Sequence, residues 1–345
     1  MLLSSILSGT AGVFDTEVIV PRGSALVGRL SGLGARITPL DISADATVGT
    51  RDIATLYRYL KRNTPRLLHS HASLSSRIAG RLLGIPRLIS TRHCATARNA
   101  TSPLRRIFYN RLTDLTVSTA DFATRALIGE GVPEGAIVTI KNGSEGKRRL
   151  PPEERLKLRD ALGIDRGATV IGMCARVEWV KGQDLLFRAV SGLCHRYNIF
   201  LLIVGGGSAL YEMKRLCAQH SLLGITHFTG FVDNPHPYQS IFDINVNASR
   251  GTETSCLATS ECMSLGIPSV VSDFGGNPEM IRHGVSGLIF DGDDAEGLTD
   301  ALSLLLEDRA LYESLSRGAR VCFLSDFTRE KMNERYISLY RRLLG

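Results

Sequence analysis

Two glutamates, Glu253 and Glu261, stand with seven residues between them in the stretch R-G-T-E-T-S-C-L-A-T-S-E-C. Carboxylates accept hydrogen bonds from hydroxyls, so a pair held at one sheet edge could grip the diols of two sugars. The spacing alone decides nothing, because Glu145 and Glu153 repeat it in a Pro- and Arg-rich stretch. Context is more informative. Around the pair the chain reads as strand (INVNAS), loop (RGTET), helix (SCLATSECMSLG), turn (GIP), strand (SVVSD) and then FGGNPE. A helix start near Thr254 to Leu257 presents unpaired N–H groups that attract anions. Glu253 is expected in the loop before that start and Glu261 about two turns into the helix, positions that suit a sugar and a ribose. Cations come from CARVEWVKGQDLL, which puts Arg176 at a strand end and Lys181 five residues on. Arg grips phosphate oxygens in bidentate fashion and Lys acts as a point charge, so the set suits a nucleotide diphosphate-sugar.

The elements that must carry these residues follow from hydrophobic patterning. Short apolar, β-branched runs alternate with helix-like segments: 17–20, 35–40, 66–71, 86–91, 115–119 and 137–142, then 168–176, 199–205, 225–230, 244–249, 269–273 and 287–290. This βα alternation predicts an α/β protein of two Rossmann-like, doubly wound domains whose sheet edges face a cleft. The boundaries are read as an N-terminal domain at 1–143, a linker at 144–154 with paired prolines, and a C-terminal domain at 155–326. A terminal amphipathic helix at 327–345 is expected to pack back toward the N-terminal domain.

Composition narrows the functions. The chain has 345 residues, 43% of them hydrophobic, and carries a net charge of +7. The charge is uneven: residues 1–150 hold 21 Lys/Arg against 10 Asp/Glu, and the remainder is acidic. A basic half fits an anionic membrane surface or an acidic substrate better than nucleic acid, since aromatics are 6% and no nucleic-acid recognition motif is present. No apolar run is long enough to span a bilayer, and the opening residues lack the positive start of a secretory signal. Seven cysteines without a C-x-x-C pair, Cys94 among them, fit reduced packing thiols.

In order along the chain, R-x4-KG, LLIVGGG, TGFVDN and E-x7-E with SECMSLGIPSVVSDFGGNPE resemble the retaining glycosyltransferases of family four, which have the GT-B fold. HSHASLSSRIAGRLLGIPRLISTRH and LTVSTADFATRALIGEGVPEGAIVTIKNGSE resemble that family's acceptor-side segments, so the likeness covers nearly the whole chain. The resemblance implies transfer of a sugar from a nucleotide diphosphate-sugar to an acceptor hydroxyl, with retention and without a metal or other cofactor. It implies that Glu253 and His93 act at the reacting sugar. Arg176, Lys181 and the backbone around Ser255, Leu257 and Ala258 would hold the donor diphosphate, Glu261 the ribose, and Phe231 and Val232 the base. His71 is read as an acceptor-side residue. Asn142 and Gly143 match the Asn-Gly of the domain junction, although the aspartate that often follows is absent. The acceptor is expected to be a glycan or a lipid-linked hydroxyl, in cell-surface polysaccharide or lipopolysaccharide synthesis. The protein is expected in the cytoplasm, peripheral to the inner face of the membrane.

Two decoys are set aside. Asp291, Asp293 and Asp294 could suggest a metal pair, but they precede AEGLTDALSLLL, where Asp293 or Asp294 is a natural helix cap. Gly205 to Gly207 lack the third glycine of a dinucleotide fingerprint. One departure from the family is larger. Only sixteen residues precede Glu17, too few for the family's first strand, Gly-rich loop and crossover helix. In a 3-2-1-4-5 sheet that strand is central, so its neighbours are expected to lack ladder partners. Two alternatives therefore stay open: a truncated, catalytically impaired nucleotide-sugar-binding protein, and an epimerase on the same fold. Glu253→Ala is expected to abolish transfer while largely sparing the fold.

Overall fold

The computed structural model describes residues 2–43, 48–71, 73–93, 107, 110–251 and 253–345; Cys94 lies outside them. The chain divides into two compact units, Met1–Gly143 with Arg329–Gly345, and Ser144–Thr328.

In the first unit α1 (Leu2–Thr10) leads to β1 (Glu17–Pro21), α2 (Leu26–Leu30), β2 (Arg36–Leu40), α3 (Thr50–Arg62), β3 (Leu67–His71), α4 (Leu74–Leu82) and β4 (Arg87–Arg92). After the next described residues come β5 (Leu115–Ser118), α5 (Asp121–Gly129) and β6 (Ile137–Thr139). All pairings are parallel, but they form two sheets: β1-β2, and β3-β4-β5-β6. Among the described residues β1 and β3 share no ladder, so each is an edge strand where one continuous sheet would join them.

Helices tie the two sheets together. On α1, Ile6 packs with Ile89, Leu115, Val117 and Ile140, while its neighbour Leu7 packs with Val20 and Leu30. From α3 and α4, Leu56, Leu60 and Ala79 reach Leu88 together with Ile19 and Leu40, again bridging both sheets. The C-terminal helix (Arg329–Leu344) belongs to this unit: Met332, Tyr336 and Leu339 are buried with Ile6 and Ile89. Each fully buried apolar side chain contributes roughly 1.5–3 kcal/mol, so these clusters join the two sheets where, among the described residues, no ladder does.

The second unit contains α6 (Pro152–Ala161), β7 (Thr169–Cys174), α7 (Gln183–Leu193), β8 (Ile199–Val204), α8 (Leu210–Gln219), β9 (Thr226–Phe228), α9 (His236–Gln239) and β10 (Ile244–Asn247). These are followed by α10 (Leu257–Ser264), β11 (Ser269–Ser272), α11 (Asn277–Met280), β12 (Gly287–Phe290), α12 (Ala295–Glu307) and α13 (Arg309–Asp326). The sheet is parallel with order β12-β11-β10-β7-β8-β9. Strand β8, flanked by β7 and β9, is buried at every residue, as its unbroken apolar run IFLLIV requires for a strand covered on both faces.

The expected linker ends earlier than its paired prolines suggested. Pro151 caps α6 and Pro152 occupies its first turn, where a missing N–H costs nothing. Asp294 is the N-cap of α12, its Oδ1 accepting from the Glu296 N–H at 2.9 Å.

Candidate active site

Strand order locates the site. From β7 the chain builds outward through β8 and β9, then returns to lay β10 against the other side of β7. Such a reversal opens a crevice beyond the carboxyl ends of the two strands. The loop after β7 carries Arg176 and Lys181, and the loop after β10 carries Glu253.

Glycine lets the two loops touch. Gly182 follows a short 3-10 turn (Trp179–Lys181), with φ of 77°, and a Cβ there would lie 2.1 Å from the Ala248 carbonyl oxygen. Arg250 stitches the loops further: its N–H donates to the Val180 carbonyl at 2.8 Å, and its guanidinium donates to the Trp179 carbonyl and to Asp184. The segment FGG completes the frame. The Gly276 N–H donates to the Glu253 carbonyl at 3.1 Å, and a Cβ on Gly276 would lie 1.8 Å from the Thr254 carbonyl oxygen.

Lys181 and Glu253 meet in this frame. The Lys181 ammonium donates to Glu253 Oε2 at 2.8 Å, and both residues are buried. Arg176 is also engaged, donating to Glu178 Oε1 at 2.6 Å in a solvent-facing pair. Both cations thus hold a carboxylate of this chain. An exposed pair such as Arg176–Glu178 is worth at most about 1 kcal/mol and exchanges readily.

Helix α10 begins at Leu257 with Cys256 as N-cap, later than the sequence suggested, so Ser255 lies in the loop. Leu257 and Ala258 occupy its first two positions, whose N–H groups have no acceptor within the helix. Glu261 consequently sits little more than one turn in, rather than two. It is buried, and its Oε2 accepts from the Gln239 amide at 2.9 Å, a partner on α9 that spacing could not reveal. The Cys256 thiol, pushed up to about 11 by burial and by Glu253, stays protonated.

Behind Glu253 lies a set of polar side chains that the sequence reading did not single out: Asn247, Ser249, Ser272 and Asn277, all buried. Of the two residues expected to line a base, Phe231 is 76% exposed, whereas Val232 packs against the core around Phe242. Val232 is therefore mainly a core residue; Phe231 is not.

In the first unit, His71 ends β3 and His93 follows β4. His71 Nδ1 and His93 Nε2 share a hydrogen bond at 3.2 Å, and their rings stack with centroids 5.4 Å apart. His69, two residues before His71 on the same strand face, bonds Tyr340 through Nδ1 and Thr91 through Nε2, each at 2.7 Å. Burial lowers all three imidazoles: His69 well below its usual range, His71 to about 4, and His93 in the same direction. A His–His hydrogen bond needs one donor and one acceptor nitrogen, which neutral rings provide. Asn142 is buried beside Gly143, whose N–H faces the Met332 sulfur.

Among the described residues, no three His, Cys, Asp or Glu side chains are arranged to hold a metal ion, and no helix is long and apolar enough to cross a membrane.

The parallel sheets and the crevice at the switch point define a doubly wound α/β protein, and comparison with known proteins agrees. Residues 154–321 match the model for glycosyl transferases group 1, and residues 12–145 match that for glycosyltransferase family 4. The D-inositol 3-phosphate glycosyltransferase of Corynebacterium urealyticum is 29% identical over 80% of this chain and 71% of its own. The GDP-mannose-dependent alpha-(1-6)-phosphatidylinositol monomannoside mannosyltransferase of Mycobacterium tuberculosis is 26% identical over 70% of this chain and 66% of its own. In structure, a glycosyltransferase from Rickettsia africae superposes with a TM-score of 0.84 at 18% identity, covering 99% of this chain and 94% of the other. Anabaena HepE, solved with UDP, gives 0.85 at 18% identity over 99% and 95%. The chain has the GT-B fold and belongs to the family-four glycosyltransferases.

Proposed function

We propose that this glycosyltransferase moves a sugar from a nucleotide diphosphate-sugar to a hydroxyl of a glycan or lipid-linked acceptor, with retention and without a metal. The observation that carries this reading is the meeting of Lys181 and Glu253 at the β7/β10 switch point, framed by glycine-built loops and the open N–H groups of α10. HepE has been solved with UDP and with UDP-glucose, which supports a ligand of the same class here.

In this reading Lys181 and Arg176 take the two phosphates, aided by the backbone near Ser255, Leu257 and Ala258. Their charge stabilises the diphosphate as it leaves. Glu253 then accepts hydrogen bonds from the sugar's hydroxyls, Glu261 holds the ribose diol, and the exposed ring of Phe231 lies against the base. The bond from the anomeric carbon to the phosphate oxygen breaks as the acceptor oxygen bonds that carbon on the same face. The departing phosphate oxygen takes the acceptor's proton, so no side-chain base is required. His93 and His71 would serve the sugar and acceptor as neutral hydrogen-bonding groups.

In FDGDDAEGL the Asp291 carboxylate accepts from the Asp293 N–H and Asp294 caps α12. The basic first half suits a phosphate-bearing or membrane-held acceptor; two relatives are named for inositol 3-phosphate and for a phosphatidylinositol mannoside. Such an acceptor would place the work at the inner membrane face, in polysaccharide or lipopolysaccharide synthesis. Calorimetry with UDP, GDP, UDP-glucose and GDP-mannose tests the donor seat: micromolar affinity for a diphosphate is expected, and no affinity for any of the four overturns it. Mass spectrometry of products with and without added acceptor separates transfer from epimerisation.

A further inference from the structure

Behind Glu253 three polar side chains, Asn247, Asn277 and Ser272, form a closed ring of hydrogen bonds with the backbone of Ser249, on which it begins and ends. The Ser249 N–H donates to Asn247 Oδ1 at 3.2 Å, and the Asn247 amide donates to Asn277 Oδ1 at 2.9 Å. The Asn277 amide donates to Ser272 Oγ at 3.0 Å, and the Ser272 hydroxyl donates to the Ser249 carbonyl at 2.7 Å. Because an N–H can only donate and a carbonyl can only accept, the two ends dictate the direction of every bond between them. Neither amide can be turned over without leaving a buried donor facing a donor. The ring joins the ends of β10 and β11 to α11 and fixes the point from which the Glu253 loop departs.

One member is left with a choice. The Ser249 hydroxyl has a single proton and two acceptors within reach, Asn247 Oδ1 at 2.7 Å and Glu253 Oε2 at 3.2 Å. With Lys181 on Glu253 Oε2, the shorter contact to Asn247 takes the proton. If the ammonium turns to a phosphate, Glu253 becomes the stronger acceptor, since bonds to an ionised group are roughly twice as strong as neutral ones. The hydroxyl can then rotate to it at little cost, because Asn247 Oδ1 keeps the Ser249 N–H.

We infer that Ser249 is a positioning residue for sugar recognition: its hydroxyl replaces Lys181 as the donor to Glu253 when the donor diphosphate binds, holding the carboxylate aimed at the sugar. This rests on the proposed seat of the diphosphate on Lys181. The ring uses only the backbone of Ser249, so Ser249→Ala keeps the ring and removes only the mobile proton.

The experiment compares, by calorimetry, affinities for UDP and UDP-glucose and for GDP and GDP-mannose in wild type, Ser249→Ala, Ser249→Thr and Asn277→Ala. In Ser249→Ala the diphosphate affinity stays within about twofold of wild type, while the gain from the sugar falls about tenfold, the worth of one charge-assisted hydrogen bond. Ser249→Thr, which keeps the hydroxyl, restores that gain, and Asn277→Ala, which opens the ring, loses it. A gain unchanged in Ser249→Ala overturns the inference, as does an equal loss for diphosphate and sugar nucleotide, the mark of a merely structural role. Wild-type protein that binds no diphosphate overturns the seat on Lys181, a distinct result that removes the premise itself.

Discussion

The Lys181 ammonium lies 2.8 Å from Glu253 Oε2, in a pair whose partners come from the loops of adjacent strands, β7 and β10, 72 residues apart in sequence. Deleting one partner of a buried pair strands the other charge. The expectation that Glu253→Ala would largely spare the fold is therefore revised. Glu253→Gln or Glu253→Ala should cost about 3 kcal/mol in urea unfolding, and the double variant Lys181→Met/Glu253→Gln should recover most of it. Transfer should be lost in all three. Recovery of stability without recovery of activity would separate the pair's support of the fold from its work at the site.

The close loop contacts predict that glycine is required at two positions for different reasons. At Gly182 the backbone has φ of 77° and faces the Ala248 carbonyl, so Gly182→Ala adds strain to a clash. At Gly276, φ is −89°, and only the Thr254 carbonyl at 1.8 Å from the added Cβ forbids a side chain. Each alanine should push its loop away, lowering diphosphate affinity at least about tenfold and costing on the order of 1–3 kcal/mol. Gly192→Ala, where a Cβ meets nothing within 4 Å, is the control and should leave binding unchanged.

Much of this frame was legible in the sequence, and the failures share a cause. Among the described residues all twelve strands fall on the apolar runs to within one residue, because a parallel strand covered on both faces tends to be rich in Val, Ile and Leu. Lys181 and Glu253 could be named from type and spacing. That they bond each other could not, since it depends on β10 returning beside β7. Gln239 on Glu261 and Asn277 on Asn247 are hidden for the same reason: strand order brings them together, not spacing. The late start of α10 was missed because Cys256 is an extended N-cap with φ of −77° and ψ of 104°, a conformation that small polar neighbours do not announce. His69 was visible in HSH but had no evident partner, because Tyr340 arrives from the C-terminal helix.

Gln239 should matter to Glu261 as Lys181 does to Glu253. Gln239 is fully buried, and its amide is bonded to the carboxylate of Glu261. Gln239→Leu removes that donor without opening a large cavity and leaves the carboxylate without its amide partner, at a cost of about 1–3 kcal/mol. The affinity for a nucleotide should fall with it, while the affinity for inorganic diphosphate, which lacks a ribose, should not. Comparing UDP with diphosphate by competition calorimetry checks the assignment of Glu261 to the ribose.

The histidine cluster predicts an acid limb in stability. Burial and the neighbouring His93 lower His71 in the folded chain to about 4, against 6.5 when unfolded. Above pH 6.5 both states are neutral at this group, and it adds no slope. Between 6.5 and 4 the unfolded chain binds a proton that the folded chain does not, so stability falls as pH falls. Below about 4 both states are protonated and the slope ends. One such group removes on the order of 3 kcal/mol across that window. The lowered His69 and His93 act in the same direction, so the limb is steeper than one proton per molecule. Urea unfolding measured between pH 4 and 7 should show a slope of more than about 1.4 kcal/mol per pH unit near pH 5, and His71→Phe should reduce that slope by about one proton. A variant with the wild-type slope would show that His71 is not held neutral by its surroundings.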